Sequence, residues 1–577
     1  MNPLKMIKLT INDRSVEVAE GTTILEAAAQ AGINIPTLCH HPELRKEGSC
    51  RVCVVEVEGA RSLVASCVHP VMEGMVVRTN TDRVRWTRKN IIELLVAAHD
   101  RDCLTCDRNN NCELQRLAQD YGVREVRFPA AVRHDPPDCS SESIIRDTNK
   151  CILCGRCIRV CKDIQGVSAL GLAFRGSRTK VGPAFNRGLA NVACTNCGQC
   201  VAVCPVGALK ERSAIDDVWK ALNDKAKHVV VQVAPAVRAA LGEEFGMREG
   251  SLVTGKMVAA LRRLGFDRVF DTQFAADVTI MEEGHELLHR LENGGPLPLI
   301  TSCSPGWIKY CEHFYPQLLA NVSSCKSPQQ IFGALVKTYY AENQGLDPKS
   351  IFSVSVMPCT AKKFEAARPE MARDGVRDVD AVLTTRELAR MIREAGLDLP
   401  SLPEEEFDLP MGMSTGAGAI FGVTGGVMEA ALRTVVETVT GKELRHIEFE
   451  AVRGFNGVKE ATVAVGDRIL RAAVVHGLAN AGELLGRFCR GEVSYDFIEI
   501  MACPGGCIAG GGQPRSCSKE TLQMRANALY REDLGKKVRK SHENPAVQEV
   551  YQKFLGKPLS EKSHHLLHTS YEKRSDL

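Results

Sequence analysis

The 24 cysteines of this chain fall in short clusters, unlike the dispersed spacing of a disulfide framework. Two stretches repeat one spacing, with two, two and three residues between successive thiols: Cys151, Cys154, Cys157, Cys161 and Cys194, Cys197, Cys200, Cys204. Eight thiolates in that register suit iron–sulfur clusters. Upstream, Cys39, Cys50, Cys53 and Cys67 supply four more, enough to enclose a two-iron cluster, with zinc as the rival because cysteine tetrads suit it too. His99, Cys103, Cys106 and Cys112 lie within fourteen residues, close enough to bind one metal centre. That set reads either as a Cys₃His zinc site or as a cluster with one imidazole ligand. The imidazole removes a negative charge and makes a cluster easier to reduce.

Bacterial-type ferredoxins use the doubled run, the fourth cysteine of each copy ligating the other cluster. On that resemblance Cys151, Cys154, Cys157 and Cys204 hold one four-iron cluster, and Cys194, Cys197, Cys200 and Cys161 hold its neighbour. Lys162 stands where proline usually follows, which leaves all eight ligands intact. The Cys39 to Cys67 spacing is similar to the ferredoxin-like domain that opens several multi-cluster oxidoreductases. The first 210 residues offer no evident substrate pocket, so this part is expected to be a wire of four clusters in a row.

These ligands need scaffolds. Residues 7–11 and 16–18 alternate apolar and polar side chains, as a hairpin with one buried face does. Thr23 and Glu26 form a capping box before an alanine-rich helix that Gly32 stops, giving a small mixed α/β module over residues 1–78. Residues 79–125 read as helical around the His99 set, and 140–212 as the two-cluster segment. In the catalytic domain, 220–577, apolar strands at 228–235, 268–270, 298–302 and 354–357 alternate with helices from about 220 to 520, which implies parallel sheet covered on both faces. Ligands in such folds sit beyond the carboxyl ends of the strands.

The 577 residues allow about four domains. With 44% hydrophobic and 25% charged residues, disordered and fibrous classes are excluded. A net charge of +3 gives no basic field suited to nucleic acid. Nowhere do about 18 uncharged apolar residues run together, so no membrane span is expected. The N-terminus lacks the continuous apolar core of a secretory signal, and a reducing cytoplasm is the natural setting for so many thiols.

Three further cysteine segments fall at strand ends or in glycine-rich loops. They are Thr301-Ser-Cys303-Ser304-Pro-Gly-Trp307, Met357-Pro-Cys359-Thr-Ala-Lys362-Lys-Phe-Glu365 and Glu499-Ile-Met-Ala-Cys503-Pro-Gly-Gly-Cys507-Ile-Ala-Gly-Gly-Gly-Gln-Pro514. At these residues the chain closely resembles the [FeFe]-hydrogenases, in the long form with accessory clusters in the N-terminal half. The likeness extends to Lys326-Ser-Pro-Gln-Gln330 and to residues 416–426. It implies a multidomain α/β and α+β chain: a 2Fe-2S ferredoxin-like (β-grasp) domain, a small His/Cys domain, a two-cluster ferredoxin domain and a two-lobed catalytic domain. It also implies one 2Fe-2S cluster, three accessory 4Fe-4S clusters and an H-cluster, a cubane joined through one cysteine sulfur to a two-iron unit carrying carbon monoxide, cyanide and a dithiolate amine. The implied reaction is reversible oxidation of dihydrogen.

The resemblance assigns Cys359, Cys503 and Cys507 to the cubane, with Cys507 bridging. Lys362 would hold a cyanide, Met357 and Met501 would wall the two-iron unit, and Ala234, Pro235, Ser327, Pro328 and Gln329 would line the rest. Most members have two adjacent cysteines after Thr-Ser, a proton carrier followed by the last cubane ligand. This chain has Cys303 and then Ser304. By register Cys303 carries protons and the Ser304 oxygen completes the cubane, a poorer match for iron than thiolate; alternatively Cys303 ligates and a hydroxyl or water takes the first proton step.

Glu283, Glu286 and Arg290 share one helix face by spacing. With Ser323 they match the family's proton relay, against the plainer reading of a solvated salt-bridge face. Cys139, Cys311, Cys325, Cys489 and Cys517 match no ligand set and read as ordinary thiols. The histidines of the tail could bind metal, although a helical tail packed on the catalytic domain is the preferred reading. No dinucleotide-type glycine turn is evident, so any NAD(P) must bind a flavoprotein partner, with ferredoxin as the other acceptor, and the two-iron unit requires maturation proteins. A low-turnover hydrogen or redox sensor is the alternative; retention of Lys362, both methionines and the Cys503/Cys507 pair disfavours a cluster-assembly role.

Overall fold

The computed structural model describes residues 5–129, 134–444, 446–466, 468–515 and 518–574. Met6–Ile11 and Arg14–Ala19 pair antiparallel, and Thr10 lies parallel beside Val76 in a five-stranded mixed sheet. The helix Ile24–Gln30 packs on it, opened by the Thr23/Glu26 capping box and followed by Gly32 at φ +71°.

The two cysteine runs adopt one backbone twice. Leu153 and Asn196 both sit at positive φ, and Gly155 and Gly198 (each φ +72°) open the short helices Arg156–Arg159 and Gln199–Ala202. Ile144–Arg146 pairs antiparallel with Leu209–Glu211 to close this segment.

The C-terminal half holds two four-stranded sheets. In one, Arg268–Asp271, His228–Val233, Ile351–Met357 and Ala381–Thr384 lie in that order and are all parallel. In the other, Leu299–Ile300, Phe497–Met501 and Arg468–His476 are parallel, but Val458–Val465 runs antiparallel at the edge. The parallel sheet expected from the sequence is thus present in both lobes, and the second adds one antiparallel edge strand, Val458–Val465, whose alternating burial marks one solvated face. Strands of both sheets end toward one another, so the segments at 234, 303, 359 and 503 open into a common space.

Helix Thr272–Asn293 runs between the lobes, started by the Asp271 side chain and stopped by Gly294 at φ +76°. The tail packs on it, as expected. Glu282 accepts from the Tyr551 and Ser563 hydroxyls (both 2.5 Å) and from Leu559 N (3.0 Å), and it pairs with His568 (3.0 Å). Among the described residues the one compact three-donor group is Glu437, His542 and Glu543, and there Lys540 already supplies the cation, 2.8 and 3.1 Å from the two carboxylates.

The ferredoxin-like segment is fastened to the catalytic half by Glu211, which pairs with Arg386 at 2.8 Å, while Arg386 also donates to the Gly511 carbonyl at 2.8 Å. Burial raises the Glu211 carboxyl, but the Arg386, Arg515 and Arg390 charges outweigh it and hold the group well below the usual carboxylate range. Glu211→Gln is expected to cost about 3–5 kcal/mol, because it strands buried arginines. Differential scanning calorimetry should read this at neutral pH. A depressed folded value means the contribution is present above the ordinary carboxylate range and is lost as pH falls through the lower folded value, so mutant and parent should converge in strong acid.

Candidate active site and electron path

A cavity lies between the lobes, its wall almost wholly apolar. Cys303, Ser304, Cys359, Lys362, Cys503 and Cys507 line it together with Ala234, Pro235, Pro328, Gln329, Met357 and Met501. Five α-helices begin at its wall, and three of them carry proline at their start: Pro235, Pro305 and Pro328. Helix N-termini and Lys362 make the space electropositive, which suits an anionic group. Close approach is built in: a Cβ on Gly510 would fall 2.0 Å from the Pro358 carbonyl oxygen, so that loop position admits only glycine. Burial pushes the Cys507 thiol up to about 12, and burial with Cys359, Cys197 and Cys507 nearby pushes Cys503 well above its ordinary value. Thiolates crowded in so dry a place need a polyvalent cationic partner.

Lys362 donates to the Cys303 carbonyl (3.1 Å) and pairs with Glu365 (3.0 Å). Ser327 is absent from the wall: its hydroxyl donates to Glu365 at 2.8 Å, and Gln329 donates to the same oxygen at 3.0 Å. Its place is thus behind the lysine, because the neighbouring Pro328 starts the helix that fills the wall. Ser304 faces the cavity while its Oγ accepts from Ala502 N at 3.3 Å.

Behind Cys303 a polar chain leads outward. Glu283 Oε1 accepts from the backbone N and the hydroxyl of Ser302, both at 3.2 Å. The Ser323 hydroxyl donates to Glu286 at 2.7 Å, and Glu286 pairs with Arg290 at 2.6 Å. Burial pushes Glu283 up to about 7; the Ser302 N–H, its hydroxyl and the Ser323 hydroxyl pull it back, and the Glu286 charge adds to the rise. Glu283 therefore holds a proton to give below about pH 7 and accepts one above it. Dye-driven dihydrogen evolution should fall and dye-linked oxidation should rise across that pH; kcat profiles flat in both directions would contradict this.

The N-terminal thiols also converge. Cys53 and Cys67 sulfurs lie 3.3 Å apart, and Cys39 and Cys50 exchange backbone N–H contacts with each other's sulfur at 3.4 and 3.5 Å. A tetrahedral zinc would draw its sulfurs to within about 3.8 Å of one another. Among the described residues no set of three cysteines is drawn together within 4.8 Å, and a cage of larger span suits a multi-iron cluster instead. His99 is buried with Nδ1 lacking a hydrogen-bond partner among the described residues, and so is Arg108 with Nε and Nη1, close to Cys112 and Cys204. Such orphaned donors fit sulfide-bearing clusters in the space beside them.

The four sets do not form a single row. Arg159, fully buried, donates to the carbonyls of both Cys39 (2.5 Å) and Cys154 (3.3 Å). The Cys106 sulfur abuts Gly207, where a Cβ would come within 2.8 Å. Both outer sets therefore adjoin the Cys151/Cys154/Cys157/Cys204 set, and the expected row is a branch. That set meets its neighbour through Cys157 and Cys200. The neighbour reaches the cavity, since Cys197 lines its wall and Gln199 donates to Ala509 O at 2.9 Å. Contact here depends on Gly198, where a Cβ would fall 2.3 Å from Thr360 Oγ1.

Family models match along this layout: a 2Fe-2S iron-sulfur cluster binding domain over 4–82, an NADH-ubiquinone oxidoreductase-G iron-sulfur binding region over 88–127, and the ferredoxin-like domain of NADH-quinone oxidoreductase subunit 3 over 141–210. The C-terminal domain of the iron only hydrogenase large subunit matches 227–511, and the iron hydrogenase small subunit matches 519–574. The NADP-reducing hydrogenase subunit HndD of Solidesulfovibrio fructosivorans is 54% identical over 587 residues, covering 100% of both chains. The chain belongs to the iron-only hydrogenase family. Iron hydrogenase 1 of Clostridium pasteurianum is 45% identical over 98% of this hydrogenase and 100% of its own length. A solved [FeFe]-hydrogenase, HydA(deltaEFG), superposes with a TM-score of 0.57 at 45% identity, covering 63% of this chain and 99% of its own. The protein is thus an oxidoreductase with 2Fe-2S, 4Fe-4S and H-cluster domains, as the resemblance implied. Among the described residues no helix is long and apolar enough to cross a membrane.

Sequence reasoning missed Ser302 as the contact of Glu283, and the wall residues Thr272, Ala276 and Phe421. It quoted Glu365 without a role, although its spacing of three from Lys362 on a helix signals the pair. Of the unassigned thiols, Cys311 and Cys325 are buried, Cys139 and Cys489 are exposed, and Cys517 lies outside the described residues.

Proposed function

We propose that this hydrogenase interconverts dihydrogen with protons and electrons at the cavity between the lobes and passes the electrons to an NAD(P)-linked flavoprotein partner, ferredoxin being the other acceptor. The observation that carries the reading is the meeting of Cys303, Cys359, Lys362, Cys503 and Cys507 on one dry wall that also contains Cys197. Cys359, Cys503, Cys507 and Ser304 would hold the cubane, with Cys507 bridging to the two-iron unit and Lys362 donating to a cyanide. When bound, this group supplies the exchange of dihydrogen with two protons and two electrons. The methionines, Ala234, Pro235 and Pro328 exclude water. Gln329 and Ser327 hold Glu365, which fixes the ammonium of Lys362. Cys303 carries a proton between the cavity and Glu283, the Ser323 hydroxyl links Glu283 to Glu286, and Arg290 orients Glu286.

The accessory clusters would be one 2Fe-2S on Cys39, Cys50, Cys53 and Cys67, and 4Fe-4S clusters on His99/Cys103/Cys106/Cys112, on Cys151/Cys154/Cys157/Cys204 and on Cys194/Cys197/Cys200/Cys161. An NAD(P)-linked partner accords with the NADP-reducing relative; the reduced thiols favour a cytoplasmic setting, and the two-iron unit calls for maturation proteins. Benzyl-viologen-linked dihydrogen oxidation by matured protein, and NADP⁺ reduction on adding the flavoprotein, test the two halves separately; absence of the first would overturn the hydrogenase assignment.

Ser304 favours a second reading, a low-turnover sensor. Its oxygen is a poorer iron ligand than thiolate. Ser304→Cys should slow iron loss to a chelator by about tenfold, and equal rates would remove Ser304 from the ligand set.

A further inference from the structure

The hairpin between the two cysteine runs supplies no ligand, yet it displays three large apolar side chains. Leu172 is 65% exposed, Phe174 53% and Phe185 87%. Gly171–Ala173 and Lys180–Gly182 form the hairpin, and Phe185 stands on the turn that packs against it. Phe174 and Phe185 both sit at positive φ, 66° and 56°, a costly backbone for a bulky residue to hold in water. Isolated exposed apolar residues are ordinary, whereas a group of them on one hairpin marks an interaction surface.

Charge says what covers it. Between Asp163 and Glu211 the chain contains no acidic residue, while Arg175, Arg178 and Arg187 are all exposed around the apolar group. Two carboxylates of the preceding segment are already paired: Asp135 with Lys180 at 2.7 Å, and Asp138 with Arg146 at 3.5 Å. The rim is thus unopposed positive charge. Depth says what for. Leu172 pairs across the hairpin with Val181, and Val181 lines the cavity formed by Cys151, Cys154, Cys157 and Cys204. The hairpin that carries the patch thus also walls the set at which the two outer branches meet.

We propose that this hairpin is the docking surface for a small acidic electron-carrier protein, which would exchange electrons directly with the branch-point cluster, separately from the N-terminal cluster sites. The proposal rests on the cluster assignment above. Arginines would steer the acidic carrier and the apolar group would retain it, so charge acts on association and contact on dissociation.

The test uses the full chain with reconstituted clusters and an acidic two-cluster ferredoxin as probe, with binding measured by biolayer interferometry at low and high salt. Arg175→Glu/Arg178→Glu/Arg187→Glu should slow association and weaken binding by about tenfold or more at low salt, with the difference fading at high salt. Leu172→Ser/Phe174→Ser/Phe185→Ser should speed dissociation at both salts, and benzyl-viologen-linked turnover should stay at the parental rate in both variants. Parental ferredoxin affinity in both variants would overturn the proposal. So would sedimentation showing the parent as a dimer that these substitutions dissociate, since a second copy would then cover the surface. Loss of dye-linked turnover in the unsubstituted chain would instead strike the hydrogenase assignment and leave the binding result standing.

Discussion

Glu283→Gln is expected to lower dihydrogen turnover by about a hundredfold or more in both directions, while iron content and the infrared spectrum of the matured protein stay unchanged. Glutamine preserves size and still accepts from Ser302, so the helix and the loop at 302–303 keep their geometry. It cannot lose and regain a proton, and the polar contact carried from the Cys303 loop to this helix passes through that carboxyl. The Ser323 hydroxyl and Glu286 lie beyond it and cannot bypass it, because the side chain is fully buried. Glu283→Asp, which shortens the reach but keeps the acid, should recover part of the rate. Parental turnover in the glutamine variant would remove the relay from the account.

Cys507→Ala should have a larger effect on composition than on fold. Turnover should drop to background and the infrared bands of the two-iron unit should vanish, while paramagnetic resonance signals from the accessory clusters persist. Its loop is held by contacts that do not use the sulfur: Ile508 N donates to Gly422 O at 3.0 Å, and Arg525 donates to Ile508 O at 2.7 Å. The cavity therefore keeps its shape and loses a ligand. Retention of the bands in this variant would mean that the bridge lies elsewhere.

The cysteine runs were legible because ligand spacing is a local property, and the strand ends because continuous apolar runs stop where ligands begin. The capping box at Thr23 and the stop at Gly32 are local for the same reason. What escaped was set by tertiary approach. The branch at the Cys151 set depends on Arg159 reaching Cys39 across more than a hundred residues. Ser302 meets Glu283 only because two lobes close on helix Thr272–Asn293. Ser327, given a place on the wall by resemblance, turns to Glu365 because a buried carboxylate serving Lys362 requires further donors. The antiparallel edge at 458–476 had a local signal, the Gly466-Asp467 dipeptide between two β-prone runs, that a reading tuned to parallel sheet passes over.

Infrared spectroscopy of anaerobically matured protein bears most directly on the central assertion that thiols from three distant segments hold one metal centre in the space between the lobes. Sharp carbon monoxide and cyanide stretches should be present in the parent, shift under dihydrogen, and disappear in Cys507→Ala. A fully matured preparation with all its cubanes and no such stretches, or stretches indifferent to Cys507, would contradict it.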